Sequence, residues 1–202
     1  MVRILLIMLL LVLSACTSRT PSDIDNLCNI FSEKRGWYKH ARKSSRRWGS
    51  DISVMMSIIY QESSFKARAK PPRKKILGFI PGRRPASAYG YAQAIDQTWS
   101  AYKRSTGRGG ADRNDFEDAI DFIGWYNDQS RRRNNISKSD AYNMYLAYHE
   151  GQGGYAKGTY RNKQWLKDVA SKVASRATRY RSQLDGCEDR FKQGFFRRMM
   201  PF

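Results

Sequence analysis

One carboxylate stands where burial would put it to work. Met55, Ile58, Ile59 and Glu62 fall at i, i+3, i+4 and i+7. On an α-helix they share a face, and Glu62 ends an apolar stripe turned toward the core. Burial disfavours the charged form of a carboxyl and raises its pKa, so such a group can hold a proton near neutral pH and deliver it as a general acid. The helix alone leaves a second reading level with this one: a glutamate just past the helix end, hydrated or paired with one of the many arginines. Other chemistries lack their residues. The chain has two histidines, His40 and His149, three cysteines and no paired-cysteine motif, which leaves no zinc site and excludes a zinc amidase or peptidase. There is no G-x-S-x-G elbow and no G-x-x-x-x-G-K-[ST] loop, and Gly151-Gln152-Gly153-Gly154 lacks the setting of a dinucleotide loop. No cofactor is implied.

The elements that must position Glu62 are helical. Asp51 is a good N-cap for a helix from Ile52 to about Ser64. Before it, Ile24, Leu27, Ile30 and Phe31 recur at helical spacing, with Asp23 or Asp25 as cap, and a second helix is expected over Trp37 to Trp48. From Phe65 to Gly90, prolines, glycines and basic residues break the pattern around a short apolar run, Ile76 to Ile80, which predicts a long irregular loop or a small hairpin beside the Glu62 helix. Helical spacing returns at Ile95–Ser105, from Phe116 to about Arg131, at Ser139–Glu150, and from Gln164 to about Leu184. The expected fold is mainly α, with one core.

The chain has 202 residues and a formal charge of +19, which calls for an anionic partner. Nucleic acid is the usual reading of such a charge, but the N-terminus argues against it. Arg3 precedes ten apolar residues, Ile4 to Leu13, too few for a membrane span and right for a secretory signal. Leu13-Ser14-Ala15-Cys16 is similar to a bacterial lipobox, which implies cleavage before Cys16 and its lipidation. Thr17 is not the aspartate that resembles an inner-membrane retention signal, so in a host with two membranes the resemblance implies the outer one, facing the periplasm. This divides the chain into a signal peptide (1–15), a lipidated tether (16–23), a domain (24–187) and a basic, aromatic tail (188–202) that could also lie on a membrane. With Cys16 given to lipid, Cys28 and Cys187 remain as a pair in an oxidising compartment, either bridged or as buried free thiols.

Gln61-Glu62-Ser63-Ser64-Phe65, then Gly90-Tyr91-Ala92-Gln93, then Ala147-Tyr148-His149-Glu150-Gly151 resemble the three ordered motifs of the lysozyme-like lytic transglycosylases of the SLT domain family. The resemblance implies a lysozyme-like helical domain that cleaves the β-1,4 bond between N-acetylmuramic acid and N-acetylglucosamine in peptidoglycan glycan strands. Glu62 would act first as acid and then as base, and the products would carry 1,6-anhydromuramyl ends. It also implies that Ser63 orients Glu62 or the substrate, that Gln93 bonds the sugar or its acetamide, and that Tyr148 holds Glu62 or the acetamide through its phenol. Tyr91 replaces an aliphatic residue and could stack on a sugar or pack. His149 and Glu150 depart from the pattern, and Glu150 could be a second carboxylate that activates water, as in a hydrolytic muramidase, or could pair with a nearby cation. Aromatics such as Trp99, Trp125, Tyr145 and Trp165 are numerous enough to line a groove, although at helical spacing most belong to a core. The alternative from another class is a non-catalytic lipoprotein that binds the wall or another polyanion. Protein partners are not legible.

Overall fold

The computed structural model describes residues 19–72, 75–76, 80–81 and 87–196. The expected signal peptide and Cys16 lie outside the described residues, as do Arg73, Lys74, Arg83 and Arg84 of the loop expected between Phe65 and Gly90, and the last six residues of the tail.

Among the described residues seven helices surround one core. They are α1 (Leu27–Glu33), α2 (Trp37–Trp48), α3 (Ile52–Ser63), α4 (Asp96–Thr106), α5 (Phe116–Asn134), α6 (Ala141–Lys157) and α7 (Gln164–Phe196). Between α3 and α4, β1 (Lys75–Ile76) pairs antiparallel with β2 (Ile80–Pro81), the small hairpin the broken pattern suggested.

The position of α3 follows from its composition. Ile52, Val54, Met55, Met56, Ile58 and Ile59 are all buried, and a helix apolar on nearly every side must sit inside. It packs on α7, α5, α2 and α6. By contrast α2 is amphipathic, with Tyr38, Ala41 and Ser44 buried against α5 and basic residues outward. Its approach to α5 is close enough that a Cβ on Gly124 would fall 2.4 Å from Ser44 Oγ, so only glycine fits there.

Three carboxylates near helix starts are paired with cations farther along the chain. Asn26, not Asp23 or Asp25, caps α1, its side chain accepting from Asn29 N at 3.2 Å. Asp25 instead pairs with Arg176 at 2.6 Å. Asp51 occupies the N-cap position of α3 without a side-chain cap bond and is paired with Arg181. Likewise Asp96 lies inside the first turn of α4, after the cap residue Ile95, and pairs with Arg113 at 2.8 Å.

The ends of the domain are joined. Cys28 and Cys187 form a disulfide with Cα atoms 6.1 Å apart. The last helix does not stop near Leu184 but continues to Phe196, because Cys187 is bridged, Tyr38 donates to Glu188 at 2.9 Å, and Phe191 packs on Phe31 and Tyr38. At the other end the chain is docked before residue 24, within the stretch expected to be a tether: Pro21 is buried, and Ser22 bonds Glu33 through its backbone N–H and its hydroxyl at 2.8 and 2.9 Å.

Candidate active site

Three segments meet around Glu62: the end of α3, the turn Gly90–Gln93 and the middle of α6. The backbone is strained at the first two. Ser64 and Phe65 follow Glu62-Ser63 with φ of 49° and 58°, and Gln93 has φ of 48°. Left-handed conformations are costly for such side chains and tend to gather where function needs a fixed geometry. Gly90, at φ 80°, could carry no Cβ, since one would lie 2.0 Å from the Arg113 carbonyl oxygen. A bridge between Tyr89 and Ala94 closes the turn.

Gln93 ties the turn to the chain that leaves α3. Its side-chain amide donates to the Ala69 and Gly90 carbonyls at 3.0 and 2.8 Å, and Gly90 N donates to Ala69 O at 3.0 Å. The N–H donors of Gln93 are thus committed to backbone, and its described contacts are those of a brace between two walls of the site. From α6, Tyr148 donates its hydroxyl to the Ala92 carbonyl, at the same turn.

Glu62 itself meets a different tyrosine from the one expected. Tyr145 donates its phenol to the Glu62 carboxylate, while the Tyr148 phenol is spent on Ala92. Tyr145 precedes Tyr148 by one helical turn, so both lean to the same side of α6. That spacing was readable, but which tyrosine reaches the carboxylate depends on how α6 crosses α3. Burial pushes the Glu62 carboxyl up from 4.5 to about 7, and the Tyr145 hydrogen bond only partly offsets it. Burial and the nearby Glu62 also raise both tyrosines, which stay neutral donors. Among the described residues no cation is paired with Glu62. In a chain of net charge +19 this favours the half-buried, protonatable reading of that residue over the paired one.

Two expected substrate contacts are corrected. Ser63 is buried and its hydroxyl donates to the Ile59 carbonyl of its own helix at 3.1 Å, away from a role in orienting Glu62. Tyr91 is 2% exposed and packs edge-on against Trp37 and Phe116, so it belongs to the core and not to a sugar face.

Glu150 is clamped. Both its oxygens accept from Lys163 Nζ at 2.8 Å, and Thr159 and His149 add further bonds. Burial works against its charge, but the Lys163, Thr159 and His149 contacts together hold its carboxyl down at about 2. A carboxylate this acidic is a weak base for activating water. Its environment is that of a partnered ion, the second of the two roles its sequence allowed. The clamp sits where α6 departs from helical geometry at Gly151, φ 74° and ψ 157°, and it ties that kink to the start of α7.

Of the aromatics, Trp99, Tyr102, Trp125, Tyr126 and Tyr145 are buried. Trp165 is 55% exposed and meets the His149 ring edge-on at 5.2 Å. His149 lies one turn beyond Tyr145 on α6, which places this pair about 6 Å along the helix from the residue that holds Glu62. The Cys28–Cys187 bridge lies away from these residues, at the joined ends. Among the described residues no group of histidine, cysteine and carboxylate side chains could hold a metal ion.

A mainly helical, lysozyme-like domain with, among the described residues, one raised carboxyl at the end of its buried helix defines the class of protein. The chain belongs to the transglycosylase SLT domain family, whose family model matches residues 4–187. That membership points to lytic transglycosylase activity on peptidoglycan, in the cell envelope. No curated protein matches the chain at a significant level.

Proposed function

We propose that the protein is a lipid-anchored lytic transglycosylase that cleaves the bond between N-acetylmuramic acid and N-acetylglucosamine and leaves 1,6-anhydromuramyl ends, with Glu62 as its one acid and base. The observation that carries this reading is the Glu62 carboxyl, raised to about 7 and, among the described residues, without a paired cation. A catalytic acid works best with a pKa near the operating pH, and a carboxyl at about 7 is protonated in a useful fraction of molecules at neutrality.

In this scheme Glu62 gives its proton to the glycosidic oxygen as the bond to C1 breaks, and N-acetylglucosamine leaves with a free hydroxyl. The acetamide oxygen of the muramyl sugar supports the positive charge at C1, a substrate-assisted exception to the two-carboxylate scheme. Glu62, now ionised, takes the proton of the muramyl C6 hydroxyl as that oxygen bonds C1. The proton count closes, and no water is consumed. Tyr145 steadies the ionised form between the steps, and Gln93 and Tyr148 act as braces that fix the turn facing Glu62. Cys16 carries the lipid, and the outer membrane is the proposed address in a host with two membranes.

The test is mass spectrometry of sugars released from purified peptidoglycan by the native protein and by Glu62→Gln. Muramyl ends lighter by one water, absent with the variant, are expected. Fully hydrated ends would turn the reading to hydrolysis, and equal cleavage by Glu62→Gln would remove Glu62 from the mechanism. No product from either protein would leave a wall-binding lipoprotein.

A further inference from the structure

We propose that the outward face of α2 is a docking surface for a bilayer rich in anionic phospholipid, and that it seats the domain on the membrane from which its tether rises. The proposal shares with the previous section only the reading that the chain is membrane-tethered, and it can fail separately.

The face is built from one sign of charge. From Lys34 to Ser50 there is no acidic residue, while Arg35, Lys39, Arg42, Lys43, Arg46 and Arg47 recur at intervals of three and four; those from Lys39 onward share the side of the helix opposite Tyr38, Ala41 and Ser44, and Arg35 stands in the turn just before it. Arg35, Lys39, Lys43, Arg46 and Arg47 are exposed and Arg42 is half-buried. Like charges at this spacing repel weakly along a helix, and an anion that meets them from outside or from the fold relieves that repulsion.

The fold supplies little. Glu117 is taken by Lys43 and His40 at 2.7 and 3.0 Å, and the buried Asp121 reaches Arg47 at 3.4 Å while also accepting from Tyr102 and Trp48. Glu188 is held by Tyr38 and by Lys192 at 2.6 Å, and Glu33 by Ser22 and by Lys34 at 3.3 Å. Among the described residues Arg35, Lys39 and Arg46 have no ion pair. Three cations in a row therefore face outward without an anion.

The position of the tether selects the occupant. Ser22 is fixed to Glu33 at the end of α1, two residues before Arg35 opens the basic face. Cys16 lies six residues upstream of Ser22, a reach of at most about 20 Å. The far end of α7 arrives at the same place, through the disulfide and through Phe191 on Phe31 and Tyr38. A bilayer holding the lipid of Cys16 is thus kept beside the start of α2, and phospholipid headgroups are the anions within its reach. Wall carboxylates could offer the same charge but have no such constraint on position.

The test uses the full chain with Cys16→Ser, which takes no lipid, and vesicles of phosphatidylcholine alone or mixed equally with phosphatidylglycerol. Three proteins are compared: this parent, a face variant with Arg35→Glu, Lys39→Glu and Arg46→Glu, and a control with Arg104→Glu, Arg131→Glu and Lys172→Glu, three exposed sites elsewhere. The parent should prefer the anionic vesicles, the face variant should bind them about 100-fold less, and the control should lose far less. High salt should weaken the parent's binding. Equal losses in the two variants would reduce the effect to net charge and overturn the proposal. So would a parent that ignores phosphatidylglycerol, or a face variant that keeps its vesicle binding but no longer sediments with peptidoglycan. Glutamine in place of glutamate at the three face positions guards against misfolding and should give a smaller loss in the same direction. Failure of the anchor itself would show differently, as a native protein that lacks lipid at Cys16 while the parent's preference persists.

Discussion

If Glu62 is protonated by burial and not by accident of local charge, replacing it should stabilise the protein, and only above a particular pH. The carboxyl has a pKa of about 7 in the folded chain against 4.5 when unperturbed. Below 4.5 both states hold the proton and the group contributes equally to each. Between these values the folded state keeps a proton that the unfolded chain has released, so each unit of rising pH removes about 1.4 kcal/mol of stability. Across the interval from 4.5 to about 7 the loss totals about 3 kcal/mol and is complete near pH 8. Glu62→Gln keeps a neutral acceptor for the Tyr145 phenol and has no such loss. Urea denaturation of the two proteins should therefore coincide at pH 4, and at pH 8 the variant's midpoint should lie higher by about 1–2 M, for a slope near 2 kcal/mol per M. Other groups titrate in both proteins and cancel. A difference that does not change with pH, or a native protein the more stable at pH 8, would refute the claim that burial sets this carboxyl, and with it the case for Glu62 as acid.

Other perturbations read different parts of the site. Tyr145→Phe removes the one donor that favours ionised Glu62; a bond to a charged group contributes about 1.5–3 kcal/mol, so the alkaline limb of kcat/KM should move up by about one pH unit, and an unmoved or lowered limb would count against the bond. Glu150→Gln should still release 1,6-anhydro products while losing about 1–3 kcal/mol of stability at pH 7, because the Glu150 side chain is 5% exposed and its partner Lys163 41%; loss of product would restore a chemical role to Glu150. Replacing Cys28 and Cys187 by serine frees a loop of 159 residues, which should lower unfolding free energy by up to about 5 kcal/mol in the chain-entropy description, with denaturation of oxidised and reduced native protein as the check.

What could be read in the sequence was what lies within a few turns of one helix. The bounds of α2 follow from Gly36 and Gly49 on either side of a strongly alternating face, and the stripe Met55-Ile58-Ile59-Glu62 places the carboxylate at the end of α3 as found. The misreadings share one cause, a partner far away in the chain. Asp25 looks like a cap until Arg176 takes it, Asp51 stands at the cap of α3 but gives its carboxylate to Arg181, and the last helix looks finished near Leu184 until the disulfide and Phe191 give the next turns a surface to pack on. Gly151 does break α6 as its position suggested, but the chain re-enters the helix because Glu150 is clamped to Lys163 across the kink.

The same distinction separates Tyr145 from Tyr148. The two stand three residues apart on one face of α6, and motif position favoured the later one; the crossing of α6 over α3 delivers the earlier one to Glu62 and sends the later to Ala92. Each residue then does a job that needs the other. Tyr148 fixes the height of the Gly90–Gln93 turn relative to α6, Gln93 fixes the same turn to Ala69 just beyond α3, and the closed circuit leaves Tyr145 no freedom to drift from the carboxylate. Loss of any one brace should therefore loosen Glu62 without touching it, and a group whose pKa depends on being kept from water is sensitive to such loosening. The strained φ angles at Ser64, Phe65 and Gln93 fall on this circuit, where a fixed geometry is worth more to the site than a relaxed backbone.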